Sequence, residues 1–233
     1  MNTDHEFFLM QLADSFFPSG MFGMSNGLES LVKHQRIRND KDVTSFIERQ
    51  IEFQLVPCDC MIFLAAINAI ENKNIEELVE IDNRFYTMRL IKEVRNASVR
   101  SGSQILNCVI QMASDKKENI IAKQFQKKIL SNKTPGTHPV CYAMAANLFG
   151  IPPESGIRMM LYSFSQNIIA AAIRLGIIDH ISGQKILTLL SVKINSISKN
   201  IEKESLDNIW QLTPLTDIFQ MIHEHDSSKM FIT

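Results

Sequence analysis

A chain of 233 residues is long enough to bury a sizeable core as one domain, or as a domain with a small appendage. With 45% hydrophobic and 21% charged residues it has ordinary globular composition, which excludes wholesale disorder. A net charge of -1, with no long run of Lys and Arg, offers no field to draw in nucleic acid or an anionic membrane surface.

Phe8, Leu9, Leu12, Phe16 and Phe17 recur at helical spacing, which predicts a first amphipathic helix ending at Pro18. Gly20, Gly23 and Gly27 follow and admit backbone angles that other residues resist. Phe22 sits among them without periodic apolar partners, as either a core plug or a contact. Asn26 and Glu29 have capping-box spacing and open a second helix, with Leu28, Leu31 and Val32 on its buried side. The N-terminus lacks the basic, apolar and small-residue succession of a signal peptide, so a cytoplasmic protein is expected.

Val43, Phe46, Ile47, Ile51 and Leu55 carry a helix that Pro57 is expected to stop. Residues 58–70 are apolar nearly all round and read as the central helix; the apolar block 61–70, interrupted by Asn68, is too short to span a bilayer. Asn74 and Glu77 form a second capping pair. They open a periodic stretch through Ile81, Phe85, Met88, Ile91, Ile105, Leu106 and Val109, long enough for two helices in line or one that bends. Ile120, Ile121, Phe125 and Ile129 mark another helix, and the turn-forming loop 134–139 leads to Pro139 in the first turn of the next, which Gly150 ends. Pro152 and Pro153 open a helix to about Gly176, residues 182–201 supply the last long one, and Thr213-Pro214 starts a short terminal helix before a polar tail. No run alternates apolar and polar residues between hairpin turns, and no repeat of fixed period occurs. The expected fold is all-α: a single-domain bundle of roughly nine or ten helices over residues 1–233, with 213–233 as C-terminal helix and tail.

Gly23-Met24-Ser25-Asn26-Gly27 matches G-x-S-x-G, but a nucleophile elbow needs a preceding strand, and a helix and a proline turn stand there instead. His223 and His225 are two residues apart, so on a helix they diverge, unlike paired metal ligands four apart; they read as a solvated helix end. Cys58 and Cys60 share that spacing, and with Cys108 and Cys141 they read as reduced thiols in apolar helices. His138, just before Pro139, reads as a helix cap, and no GxxxxGK[ST] loop occurs to hold a nucleotide. No catalytic, cofactor-binding or metal-binding residue is expected.

Two segments are more specific than a helix requires. Residues 95–102 mix Arg95, Arg100 and small residues with Gly102, which costs about 1 kcal/mol against alanine in a helix and so calls for close packing of another helix. From Tyr162 through Ala170, Ala171 and Ala172 to Arg174, small residues lie between polar ends suited either to an internal seam or to a subunit contact.

Together these pieces resemble the urease accessory protein UreF family over nearly the whole chain. Asp14, Ser15, Pro18, Gly20, Phe22, Ser25, Gly27, Leu28 and Glu29 fit its pattern QLxDSxxPxGxFxxSxGLE. Arg95, Ser98 and Gly102, then His138-Pro139, then Tyr162-Ser163 with Ala171-Ala172 and Arg174-Leu175 follow in order. Pro214, Asp217, His223-Glu224 and Phe231 fit its tail. Met21 and Met24 depart from it, standing where a glycine and a polar residue such as histidine are common, and 176–180 replaces a proline-leucine-glycine-glutamine turn.

The resemblance implies a non-enzymatic, cytoplasmic, homodimeric assembly factor for the nickel enzyme urease. Such a protein binds UreD (also called UreH), recruits the GTPase UreG, and engages apo-urease so that nickel enters once the active-site lysine is carbamylated. Nickel and GTP would then be handled by the partner proteins, with no cofactor held by this chain. By the same analogy Pro18, Gly20, Phe22, Ser25, Glu29, Pro214, Asp217, His223, Glu224 and Phe231 face UreD, and Tyr162 and Arg174 face the second copy and the GTPase. Arg100 and His138 are further interface positions. The tail is expected to order on binding, anchored by Phe231. A small hydrolase using Ser25 and a helical scaffold unrelated to urease remain as alternatives.

Overall fold

The computed structural model describes residues 5–14, 16–20, 23–113, 119–201 and 206–232, and no strand occurs among them. The helices are α1 (His5–Ala13), α2 (Leu28–Lys33), α3 (Asp40–Gln50), α4 (Met61–Glu71), α5 (Ile75–Met88), α6 (Lys92–Met112), α7 (Asn119–Leu130), α8 (His138–Leu148), α9 (Pro153–Arg174), α10 (His180–Asn200) and α11 (Pro214–His225). Because α3 runs into α4 without a break, they amount to ten rods among the described residues, in line with the all-α expectation.

Pro57 does not stop its helix. A proline inside an α-helix withholds one N–H and clashes with the carbonyl four residues back. Here the chain widens to π winding over Ile51–Cys60, which moves that carbonyl aside. The Phe53 carbonyl then accepts from the Leu212 N–H at 2.8 Å, and the Pro57 carbonyl from the Trp210 N–H at 3.3 Å. The break in helical bonding thus becomes the seam on which the segment entering α11 hangs. The continuous helix, Asp40–Glu71, is also longer than the apolar block in the sequence: by length and composition it can cross a membrane, yet 72% of its most apolar stretch is buried inside the protein.

The core is built around α4: Ile62, Phe63, Ala66 and Ala69 are fully buried, and α5 and α8 pack on it. α8 is buried nearly all round, with small residues Ala143, Ala145 and Ala146 letting α4 and α6 close in. The periodic stretch after Asn74 is two helices, broken between Met88 and Lys92. Asn74 accepts from the Glu77 N–H at 3.2 Å, as its spacing implied.

The loop before α8 is set by a carboxylate from α5. Asp82, fully buried, accepts from Thr134 Oγ1 at 2.5 Å, Gly136 N–H at 2.6 Å, Thr137 N–H at 2.7 Å, and Thr137 Oγ1. Burial pushes its carboxyl above the usual range, and those hydrogen bonds oppose the shift. Thr137 is therefore the residue at the N-cap position of α8, and His138 is its first helical residue instead of its cap.

Gly102 of α6 faces this loop. A Cβ there would lie 2.2 Å from the Gly136 carbonyl oxygen and 2.7 Å from the Thr137 carbonyl carbon, so the expected close neighbour is the loop backbone leading into α8. Gly102→Ala would strengthen an isolated helix by about 1 kcal/mol. In this protein it should instead lower stability by about 2 kcal/mol in a urea titration, because two backbones must separate. A stabilised variant would contradict the contact.

Candidate functional site

α11 has a packed inward face, mostly of polar residues, and an apolar face turned outward. Thr216, Phe219, Gln220 and His223, at i, i+3, i+4 and i+7, are buried, and this side of the helix meets α2 and α6. Gln50 donates to Thr216 Oγ1 at 2.7 Å and the His34 ring meets Phe219 edge-on at 5.3 Å. On the other side Leu215, Ile218, Met221 and Ile222 remain 51%, 50%, 46% and 36% exposed.

The inner face ends in a charge cluster. His223 is fully buried, with Nε2 3.1 Å from Glu29 of α2 and Nδ1 3.0 Å from Glu93 of α6. Carboxylates only accept, so every group is satisfied when the ring carries both N–H bonds. This corrects the solvated helix end expected for the two histidines: the spacing that makes them diverge sends His223 inward and leaves only His225 exposed. Burial works against the Glu93 carboxylate, yet hydrogen bonds from Lys229, at 2.7 Å, and His223 hold it below the usual carboxyl range.

Glu29 does not close a capping box with Asn26. Asn26 and Gly27 both take left-handed backbone angles, φ 51° and 85°, and the Asn26 side-chain nitrogen is buried without a partner among the described residues. The Glu29 N–H instead meets Ser25 Oγ at 3.4 Å, while its carboxylate turns to the tail. There it accepts from the Met230 N–H at 2.8 Å and the Phe231 N–H at 3.1 Å. The next amide, Ile232, donates to the Gly23 carbonyl at 2.8 Å, and Lys33 pairs with Asp226 at 2.9 Å. Phe231 is 4% exposed, with the Arg174 guanidinium 4.3 Å above its ring. The tail is therefore packed on its own chain, and Glu29, His223, Phe231 and Arg174 meet in one place.

Of the other expected interface residues, Ser25 meets this cluster through the Glu29 N–H and Glu224 through its carbonyl, which accepts from Lys229 at 3.0 Å. Pro18, Gly20, Arg100 and Pro214 are exposed, Tyr162 is 39% exposed on α9, and Glu224 is half-buried. Asp217, half-buried, accepts from Thr213 Oγ1 at 3.3 Å. Ser15, Met21 and Phe22 lie outside the described residues. Glu93 and Lys229 escaped the sequence reading, since nothing local marks residues whose partners are 130 and 136 positions away.

Beneath the N-terminal junction lies a cavity of about 300 Å³, lined among others by Met24, Asp59, Arg89, Ser98, His138 and Tyr142. Asp59 and Arg89 form a buried ion pair, and Arg89 also donates to Gln211 at 2.7 Å. Burial pulls the His138 imidazole down to about 4, the Arg89 charge adding to it, and its Nδ1 lies 3.0 Å from Ser101 Oγ. No group of three or more His, Cys, Asp or Glu with metal-site geometry occurs among the described residues. Burial pushes the Cys58 thiol up to about 12, and Cys60 and Cys141 are likewise buried and raised. Ser25 is fully buried and no sheet stands behind it among the described residues, so the elbow context is missing.

Replacing His223 with Ala leaves two carboxylates facing each other without their shared donor, and should lower stability by about 3 kcal/mol in a denaturant melt. His225→Ala should change it by less than about 0.5 kcal/mol. Equal effects would deny the cluster its role.

The UreF family model matches residues 37–191, which omits both the junction and the tail. Curated relatives align almost end to end. The urease accessory protein UreF of Trichodesmium erythraeum (strain IMS101) is 29% identical over 223 residues, covering 96% of this chain and 94% of the relative. That of Photorhabdus laumondii subsp. laumondii is 29% identical over 223 residues, with 96% of each covered, and that of Yersinia enterocolitica 26% identical over 231 residues, with 99% of each covered. With the family model matching well over half its length and relatives spanning the remainder, this chain belongs to the UreF family.

Proposed function

We propose that the chain is an assembly factor for urease that works in the cytoplasm by protein contacts alone. It docks UreD (UreH), recruits the GTPase UreG, and so brings nickel to apo-urease, with nickel and GTP held by the partners. Support comes from the names of its relatives, urease accessory proteins aligned along the whole chain. The observation that carries the docking role is the outward row of α11. Leu215, Ile218 and Ile222 stay exposed on a helix whose other face is already packed, and Trp210 and Leu212, at 47% and 63% exposure, continue the row. UreD is assigned to this row and the adjoining junction, and the second copy and the GTPase to the Tyr162 end of α9.

Truncation at Thr213 is a poor test, because it strips Phe219, His223 and Phe231 from the interior as well as removing the row. Leu215→Glu combined with Ile218→Glu leaves the inner face alone. The double variant should keep its helical circular dichroism and lose UreD capture by about 30-fold or more, as for a hot spot of about 2 kcal/mol. Undiminished capture would move the docking site elsewhere. In cells, deletion of the gene should yield urease protein without nickel, and normal nickel content would overturn the assembly role.

A further inference from the structure

At the entry to α11 lies a second pocket, about 350 Å³ in volume, between the α2–α3 turn, α3 and residues 212–216. Buried Leu31, Ile37 and Phe46 make its floor, and exposed Phe53, Leu212 and Leu215 make its lip. Gln50, 2% exposed, also lines it. Its Nε2 donates to Thr216 Oγ1 at 2.7 Å, and its Oε1 has no partner among the described residues. A buried amide atom left over is costly and calls for a partner from outside. Turning the amide over only exchanges the two atoms, because the Thr216 hydroxyl both donates and accepts. What completes either arrangement is a peptide bond, which brings an N–H and a C=O together.

Charge narrows the occupant further. The guanidinium groups of Arg36 and Arg49, both exposed residues of the lining, take no hydrogen bond or ion pair among the described residues. Asp42, the one carboxylate of the lining, already accepts from the Arg38 N–H at 2.9 Å. The rim is therefore positive. Leu215 belongs both to this lip and to the outward row of α11, so a protein lying along the row reaches the pocket without leaving the surface.

We propose that the pocket is a socket for the protein that covers the α11 row, and receives from it one apolar side chain with the adjoining peptide bond, flanked by carboxylates. This rests on assigning UreD to that row. The floor takes the side chain, the Gln50 amide takes the backbone, and Arg36 and Arg49 take the carboxylates. An anchor seated in a pocket carries a large share of the binding, while rim charges speed encounter. Because the socket stands at one end of the row, it also fixes which way along α11 the partner lies.

The test is the affinity of the full chain for purified UreD, with helical circular dichroism and a urea melt on every variant. Gln50→Met keeps the length and the apolar stem, loses both polar atoms, and should weaken UreD binding by about tenfold. Arg49→Glu should weaken it by about as much and flatten its dependence on salt, while Lys123→Glu, on α7, should stay within about twofold. Ile218→Glu combined with Ile222→Glu touches the row and not the pocket. If that pair loses UreD while Gln50→Met and Arg49→Glu hold it as tightly as the unaltered chain, the socket is overturned and the row stands. If the pair holds UreD and the pocket variants lose it, the socket stands and the row falls; if all hold it, both fall. An equal loss in Lys123→Glu would reduce the effect to net charge and overturn the socket. So would a change in self-association with UreD binding intact, which would make a second copy the occupant. Should Gln50→Met fail to fold, Arg49→Glu, at an exposed position, decides.

Discussion

The Asp82 carboxylate is the constraint from which much of the bundle follows. It is fully buried with no cation beside it among the described residues and is held by four donors from residues 134, 136 and 137. Removing any donor would leave a poorly solvated carboxylate in the core, so the loop has little freedom to relax. With the loop fixed, α8 starts where its backbone presses on Gly102, and α6 and α8 form the most extensive helix seam among the described residues. Ser98 and Ser101 of α6 then take hold of His138, through its N–H and its Nδ1.

A second set of polar ties hangs the C-terminal part on this frame. The wide turn at Pro57 frees carbonyls for Trp210 and Leu212, and Arg89, paired with buried Asp59, holds Gln211 between them. Burial disfavours the Arg89 charge, and the Asp59 carboxylate more than restores it. Such a pair adds little net stability, but losing one partner leaves a buried charge, so it acts chiefly as a positioner. α11 therefore arrives at a set angle, with its hydrogen-bonded face inward and its apolar row outward.

Most helices were legible from regular apolar spacing, although α1 stops at Ala13 and leaves Phe16 exposed where the spacing carried it to Pro18. The need for a close neighbour at Gly102 was legible too, although loop backbone stands where a helix was expected. Pro57 was misjudged because the bonds that make a wide turn tolerable come from residues 210 and 212, far along the sequence. At Asn26 the capping-box spacing was present, but two left-handed residues turned the side chains apart. For His223 the divergence from His225 was read correctly, while the direction in which one of them pointed depended on Glu29 and Glu93, which no spacing rule connects. The likeness to the family picked out Glu29, His223, Phe231 and Arg174 separately; only the fold shows them as neighbours.

The partners of Glu29 lie 194, 201 and 202 residues downstream. During synthesis the segment around residues 23–29 must wait, with its carboxylate unmatched and Leu28 and Leu31 short of part of their covering, until nearly everything after it has been made. Contacts of such high sequence separation are slow to form and late to reward the chain. The nascent protein thus carries an unfinished, partly apolar end through most of translation, and that end is the first place a folding helper would find something to hold.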